Sequence, residues 1–347
     1  MPPVDTITQA ALGAAIGQAG FRDLGRRGSA FGAACGLLPD LDSVLGIGDP
    51  WLGLVTHRGL SHSLIVLPVV ALPLGWVAWR FLGQRSAPRR WIHLAFWALV
   101  THPLLDFFTT YGTQLFAPLT RARFSLDAVA IIDPFYSLPL LIALIYGLRA
   151  RAIPRRAVRL ARVALVWGCI YLAGQSLFTQ ANQSVFERRL VELSFVPIAL
   201  RTPAPLLFPM LRHGVARDQR GRIAVTTLWL GTHHPSAIKI IEPYQDSRSE
   251  AALRSERGEI WRWFTDGMVS TVQLDTGELV FSDHRYGSYS DPTQSGFRAV
   301  LEQGQPPGEL RFFRPGQGNQ KINPRHEIEA ALGILRGDRA TETTPMR

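Results

Sequence analysis

Three short clusters in the first third of the chain carry the residue types of which metal centres are made: Pro39-Asp40-Leu41-Asp42, His57-Arg58-Gly59-Leu60-Ser61-His62 and His102-Pro103-Leu104-Leu105-Asp106. Carboxylate oxygen and imidazole nitrogen are the usual ligands of zinc, manganese and iron. His102 and Asp106 stand at i and i+4, so on a helix they share a face one turn apart and can hold one ion together. Asp40 and Asp42 stand at i and i+2, and an extended segment after Pro39 would point both carboxylates to one side. His57 and His62 are five apart, a spacing that fits a loop ligand followed by a ligand at a helix start. Taken singly, each pair reads as ordinary structure: a buried His–Asp hydrogen bond, a solvated turn whose Asp caps a helix, histidines at a membrane border. Taken together they need a shared reason, because the gaps between the clusters are almost purely apolar and unpaired polar groups are costly to bury there.

The elements that must position these residues follow from composition and pattern. The chain has 347 residues, 47% of them hydrophobic, and a net charge of +10. That length leaves room for about two domains. The apolar residues crowd into the first half, which predicts a membrane half and a soluble half. Most of the excess charge is Arg, which in a membrane protein reads first as cytoplasmic-loop charge. No compact basic and aromatic motif favours nucleic acid, so no nucleic-acid partner is expected. Cys35 and Cys169 both lie in apolar stretches and read as packing residues. Asp5 and the lack of a basic leading region argue against a cleaved signal peptide.

Gly13 and Gly17, then Gly28, Gly32 and Gly36, recur every four residues in two short apolar segments, a spacing that lets helices approach closely. Four longer apolar runs follow, at 63–82, 91–108, 128–148 and 158–178, each near the crossing length of about 20 residues. Ser61 or Ser63 is a plausible cap for the first of them. The expected fold is therefore an all-α polytopic membrane domain, with about four full spans plus the two short Gly-rich helices, followed by a small β-rich soluble domain. The boundaries expected are 1–180 for the helical metal-site domain, 181–209 for a linker that stiffens at 201–209, and 210–347 for an extracytoplasmic domain. Arg85, Arg89 and Arg90 in one loop, and Arg149, Arg151, Arg155 and Arg156 in another, predict cytoplasmic loops. That threading brings all six ligand-type residues to one depth near the outer surface. In the tail, 222–231, 237–242, 269–274, 278–282 and 309–313 read as strands, with Asp275-Thr276-Gly277 a hairpin turn. A polar helix is expected at 325–336 and a loose end beyond it. His233-His234-Pro235 and Asp283-His284 lack ligand spacing and read as surface residues.

The order Thr8-Gln9, Pro39-Asp40-Leu41-Asp42, His57-Arg58-Gly59-Leu60-Ser61-His62-Ser63, Thr101-His102-Pro103-Leu104-Leu105-Asp106, Thr110-Tyr111-Gly112-Thr113-Gln114, Ile131-Ile132-Asp133-Pro134 resembles the YdjM-like inner-membrane proteins. The resemblance is strong over about residues 1–180 and loose in the tail. This family is described as membrane-bound metal-dependent hydrolases, more distantly similar to zinc-dependent phospholipase C and single-strand nucleases. The resemblance implies Asp40, His57, His62, His102 and Asp106 as ligands, with Asp42 beside or among them. Two departures bear on this. Many relatives carry Thr-His where this chain has Thr8-Gln9, and the second His-x-x-x-Glu helix of the phospholipases has no match. One or two divalent ions, zinc foremost, are the expected cofactor.

Arg58 between the two histidines could grip a phosphate oxygen or meet lipid headgroups. Asp133, an ionisable residue in an apolar run, is a candidate second carboxylate or a helix cap. The function expected is hydrolysis of a phosphoester or lipid-like substrate, possible phospholipids included, at the outer surface of a bacterial inner membrane that the chain crosses several times, with Asp42 or Asp133 as base. The alternative is a non-enzymatic scaffold or sensor with a structural metal and a partner-binding tail. A transporter fits less well, since repeated halves are absent.

Overall fold

The computed structural model describes residues 3–83, 86–149, 153–230, 236–313 and 324–336. It divides into two compact units, Met1–Ser176 and Leu177–Arg347. In the first unit, α1 (Pro3–Gly20) and α2 (Gly25–Leu37) lie against each other along the glycine stripe. A Cβ on Gly13 would stand 2.1 Å from the Gly32 carbonyl oxygen, and one on Gly36 would stand 2.4 Å from that of Gln9. Only glycine admits backbones this close. After α2 the chain runs through a 3-10 segment, Leu38–Gly46, to the short α3 (Pro50–Thr56), whose cap Asp49 accepts from Trp51 N and Leu52 N. A second 3-10 turn, Leu60–His62, leads to α4 (Val66–Leu82), with the Ser63 hydroxyl accepting from Ile65 N and Val66 N. Next come α5 (Pro88–Phe107), α6 (Pro134–Arg149) and α7 (Arg155–Glu192).

An all-α polytopic domain with about four full spans is not what forms. Among the described residues one helix, α7, is long and apolar enough to cross a bilayer, or two if the bent pair Pro50–His62 and Val66–Leu82, which turns through 66°, counts as one span. The chain holds ten α-helices and two four-stranded sheets among those residues. A crossing takes about 20 residues, whereas α4 has 17 and α6 has 16. The apolar run at 128–148 looked longer than its helix because Pro134, capped by Asp133, starts α6 late. The 20 residues of α5 reach the length but include Arg89, Arg90, His93, His102 and Asp106. Hydropathy counts side chains and is blind to where the backbone turns, and the runs at 63–82 and 128–148 joined turn residues to helix residues.

The second unit begins inside α7, so the stretch expected as a linker holds the end of that helix and strand β1 (Pro197–Arg201). With β2 (Arg212–Asp218), β3 (Ile223–Leu228) and β4 (Lys239–Ile241) it forms an antiparallel sheet in sequence order. Two helices follow, α8 (Ser247–Arg254) and α9 (Glu256–Phe264). A second antiparallel meander comprises β5 (Val269–Gln273), β6 (Leu279–Asp283), β7 (Arg298–Leu301) and β8 (Arg311–Phe313), and α10 (Pro324–Arg336) comes last. The hairpin between β5 and β6 turns at Gly277, whose φ is +79°. His233, His234 and Pro235, the loop arginines Arg85 and Arg151, and the last ten residues lie outside the described residues.

Asp283 and His284 are not surface residues: both are buried, as is His213 on β2. The Asp283 carboxylate takes Nε and Nη2 of the equally buried Arg285, and His213 Nε2 donates to the His284 carbonyl at 2.8 Å. Burial pushes His213 down to about 4 and His284 down to about 3, from 6.5. Depressed histidines stay neutral in the folded chain while the unfolded chain takes up protons below about 6.5. Stability is therefore full above that pH and falls as pH drops towards 4, by about 1.4 kcal/mol per pH unit for each histidine. Hydrogen-exchange opening energies of β2 and β6, measured on the full chain, should fall by several kcal/mol between pH 7 and pH 5. Equal values at the two pH values would contradict this.

Candidate metal centre

Four side chains meet in the first unit: Asp40, His62, His102 and Asp106 offer ligand atoms that all lie within 4.8 Å of one another, the one such group among the described residues. His62 Nε2 is 3.0 Å from His102 Nε2, 3.5 Å from Asp40 Oδ1 and 3.2 Å from Asp106 Oδ2. His102 Nε2 is 3.4 Å from Asp40 Oδ1 and 3.6 Å from Asp106 Oδ2. Ligands about 2.0–2.1 Å from a tetrahedral ion are spaced roughly 3.3 Å apart. These spacings are those of four donors around one cation.

The hydrogen-bond partners assign a proton to Nδ1 of both histidines. His102 Nδ1 lies 2.6 Å from the Gly36 carbonyl oxygen, which can only accept, so Nδ1 donates and Nε2 presents a lone pair. The Ser61 hydroxyl donates to Asp42 and accepts from His62 Nδ1 at 2.9 Å, so His62 Nε2 presents a lone pair as well. Two lone pairs then face each other at 3.0 Å, beside Asp40 Oδ1 and Asp106 Oδ2, neither of which has a hydrogen-bond partner. A bound cation, or a proton on His62, makes that arrangement favourable in a buried setting. Buried carboxylate oxygen with imidazole nitrogen suits zinc, manganese or iron.

Local folding explains the positions. His102 and Asp106 are one turn apart on α5. Asp40 and Asp42 do not share a side, because their segment is a 3-10 helix rather than an extended strand. With about three residues per turn, i and i+2 point well apart. Asp40 faces the cluster while Asp42 faces away, accepting from His57 Nδ1 at 2.6 Å, from Arg58 N at 3.0 Å and from Ser61. Burial alone would raise both carboxyls. The neighbouring imidazoles, His102 and His62 at Asp40 and His57 and His62 at Asp42, outweigh it, so both stay well below the usual carboxylate range.

His57 is therefore not among the four; it stands behind them, with Nδ1 on Asp42 and a buried Nε2 that has no hydrogen-bond partner. Arg58 is fully buried with φ +59°, a strained conformation for a long side chain. It is held there by the bond from its amide to Asp42, by Gln114 N donating to its carbonyl, and by its guanidinium. That group places Nε 3.0 Å from Asp106 Oδ2, close enough for an ion pair although not aligned as a hydrogen bond, and donates from Nη1 to Thr109 Oγ1. Gln9 donates its amide to Asp106 Oδ1 at 3.1 Å and to the His102 carbonyl. Asp133 is occupied elsewhere: it caps α6 and accepts from Tyr171 at 2.7 Å.

Sequence reasoning gave no part in the site to the Gly36 carbonyl, Thr109 or Tyr111, and gave Ser61 only a capping role. Ser61 had a signal, lying between the two histidines, whereas Tyr111 belongs to the motif at 110–114, which carried no metal-ligand type, and Thr109 stands just before it.

In comparison with known proteins, the family described as YdjM inner membrane protein matches residues 4–181. The uncharacterized protein YfhP of Bacillus subtilis (strain 168) is 29% identical over 100 residues, which are 28% of this chain and 29% of that protein. The alignment thus spans under a third of that relative's length. No solved structure matches the chain.

Proposed function

The chain belongs to the YdjM inner membrane protein family, and we propose that it works there as a metal-dependent hydrolase of phosphoester or lipid-like substrates. The observation that carries this reading is the pair of facing imidazole Nε2 atoms, 3.0 Å apart, flanked by two carboxylate oxygens without hydrogen-bond partners. Asp40, His62, His102 and Asp106 would hold a divalent ion, zinc foremost. When bound, the ion supplies Lewis acidity towards a phosphoryl or acyl oxygen. Asp42 and the Gly36 carbonyl fix the tautomers and ring planes of the histidines, as supporting groups of metal ligands do. Arg58 holds Asp106 ionised and in place rather than reaching outward. The His57–Asp42 pair is our choice for moving a proton, because His57 Nε2 is buried without a partner and its other nitrogen is pinned. Asp40, whose side chain is 13% exposed against 0 to 1% for the other three, marks the side from which solvent reaches the cluster.

A structural metal in a scaffold or sensor is the second reading. Four protein donors suffice to close a tetrahedral zinc shell, the mark of structural sites. Purified full-length protein, assayed for metal content and for cleavage of a phosphodiester and of phospholipids, separates the two. The hydrolase reading expects one ion per chain and a cleavage lost on chelation. Metal-loaded protein that cleaves neither substrate would leave the scaffold.

Membrane placement is given by the family. On α7, only 28% of the most apolar window is buried in the protein, which favours lipid contact over a core role. Arg155, Arg156, Arg159 and Arg162 lie in its first turns. We place that end in the cytoplasm and the chain after Glu192 outside. A periplasmic-type reporter fused after Leu193 should be active, and a silent one would reverse this orientation.

A further inference from the structure

We propose that the loop around Tyr111 and Arg123 is an anionic phospholipid headgroup site, which names the substrate class of the hydrolase proposed above and rests on that reading. Two guanidiniums lie over the Tyr111 ring, Arg58 at 5.1 Å and Arg123 at 5.2 Å from its centroid. The same ring meets the edge of His57 at 5.3 Å. Arg58 in turn reaches Asp106 of the metal cluster at 3.0 Å. Arg123 is thus one aromatic ring away from the groups that surround the cluster.

The local backbone is shaped to put Arg123 there. Gly112 has φ +86°, and a Cβ on it would stand 3.2 Å from the Arg123 side chain. Thr113 and Phe124 exchange both backbone hydrogen bonds at 2.9 Å, folding the arginine-bearing strand back over Tyr111. Gln114 N donates to the Arg58 carbonyl and Leu64 N to the Leu115 carbonyl, fastening the loop to the histidine segment. Arg121, two residues before Arg123, is exposed.

Charge and apolarity together select the occupant. Stacking uses the flat face of a guanidinium, while its N–H edge matches phosphate oxygens. The segments that carry the cluster also expose large apolar side chains: Leu41, Val44 and Ile47 beside Asp40 and Asp42, Leu60 beside His62, and Leu119 on the arginine loop at 80% exposure. A soluble phosphoester has no use for that fringe, and a nucleic acid would be repelled by it. A phospholipid uses both, with its phosphodiester on the arginines and its acyl chains on the fringe.

The test is native mass spectrometry of the full-length protein in detergent with equimolar phosphatidylglycerol and phosphatidylcholine. The parent should retain phosphatidylglycerol preferentially, and Arg121→Ala with Arg123→Ala should remove that preference, about fivefold for each arginine. Metal content should be unchanged in the double variant. Should it fall, Arg121→Ala alone, at an exposed position, decides. His102→Ala should lose metal and any hydrolysis yet keep the lipid preference, so failure of the hydrolase reading and failure of the headgroup site give different results. A parent with no preference, or arginine variants that match it, would overturn the proposal. Complete displacement of the lipid by excess inorganic phosphate would also overturn it, because the site would then be one for the free ion.

Discussion

With Asp40, His62, His102 and Asp106 as the proposed metal centre, His102→Ala and His62→Ala should each strip the protein of bound metal, with affinity falling by well over a hundredfold. Each removes an imidazole whose Nε2 faces the other three donors and leaves two carboxylates and one imidazole, a weaker set with one coordination position lost to water. His57→Ala behaves differently. It takes away one partner of Asp42 and leaves all four donors in place, so affinity should fall by about 10 to 100-fold, the usual effect of a supporting group. Zinc and manganese titrations of the three variants, with bound metal counted per chain, separate the two classes. Equal losses from all three would put His57 in the coordination shell and refute the four-residue centre. Unchanged binding in all three would leave the cluster as structural polarity with no ion.

The glycine seam should be nearly as sensitive. Gly13→Ala sets a methyl group 2.1 Å from the Gly32 carbonyl oxygen, and that obstacle is backbone, which cannot swing aside. The helices must part, at a cost of about 3 kcal/mol or more, the upper range for overpacking. Gly36→Ala meets the Gln9 carbonyl at 2.4 Å and should cost as much. It also disturbs the carbonyl that holds His102 Nδ1, so bound metal should fall with stability. Gly174→Ala is the matched control. It lies within α7 with nothing inside 4 Å of the added carbon, and should gain roughly 0.5–1 kcal/mol from helix propensity. Thermal unfolding in detergent with metal counted alongside reports both effects. Gly13→Ala unfolding at or above the parent's temperature would mean that the seam is not closed in solution.

How much of this was legible beforehand depends on what each residue type announces. The small-residue spacing of Gly13, Gly32 and Gly36 announced close helix contact, since only backbone approach explains such a stripe. His102 and Asp106 announced a shared face because helical period is read directly from spacing. The turn at Gly277 and the strands on either side of it followed from turn chemistry and β-branched residues. Asp40 and Asp42 misled because the same spacing means one side in a strand and two sides in a 3-10 helix, and nothing in Pro39-Asp40-Leu41-Asp42 chooses between them. His57 and His62 misled in the same way, being alike in type and separated only by which carboxylate each meets. The span count failed because α4 and α6 start inside their apolar runs, at Val66 and Pro134, and because α5 carries several charged and histidine residues. Asp283 and His284 looked like surface residues, and Arg285 beside them drew no reading. Their burial rests on the mutual pairing of a carboxylate and a guanidinium two residues apart, which composition does not reveal.

The bond between His102 and the Gly36 carbonyl joins a metal ligand to the seam of two helices. Anything that binds only the folded chain stabilises it by mass action, by about 4 kcal/mol at a thousandfold excess over its Kd. Metal supply is then felt as helix cohesion, and scarcity as loosening of α1 from α2. In a cell, a newly made chain short of its ion would present the Gln9 and Gly36 faces to membrane proteases. Abundance of the protein would follow the free-metal level without any change in its synthesis, making turnover itself a gauge of the ion.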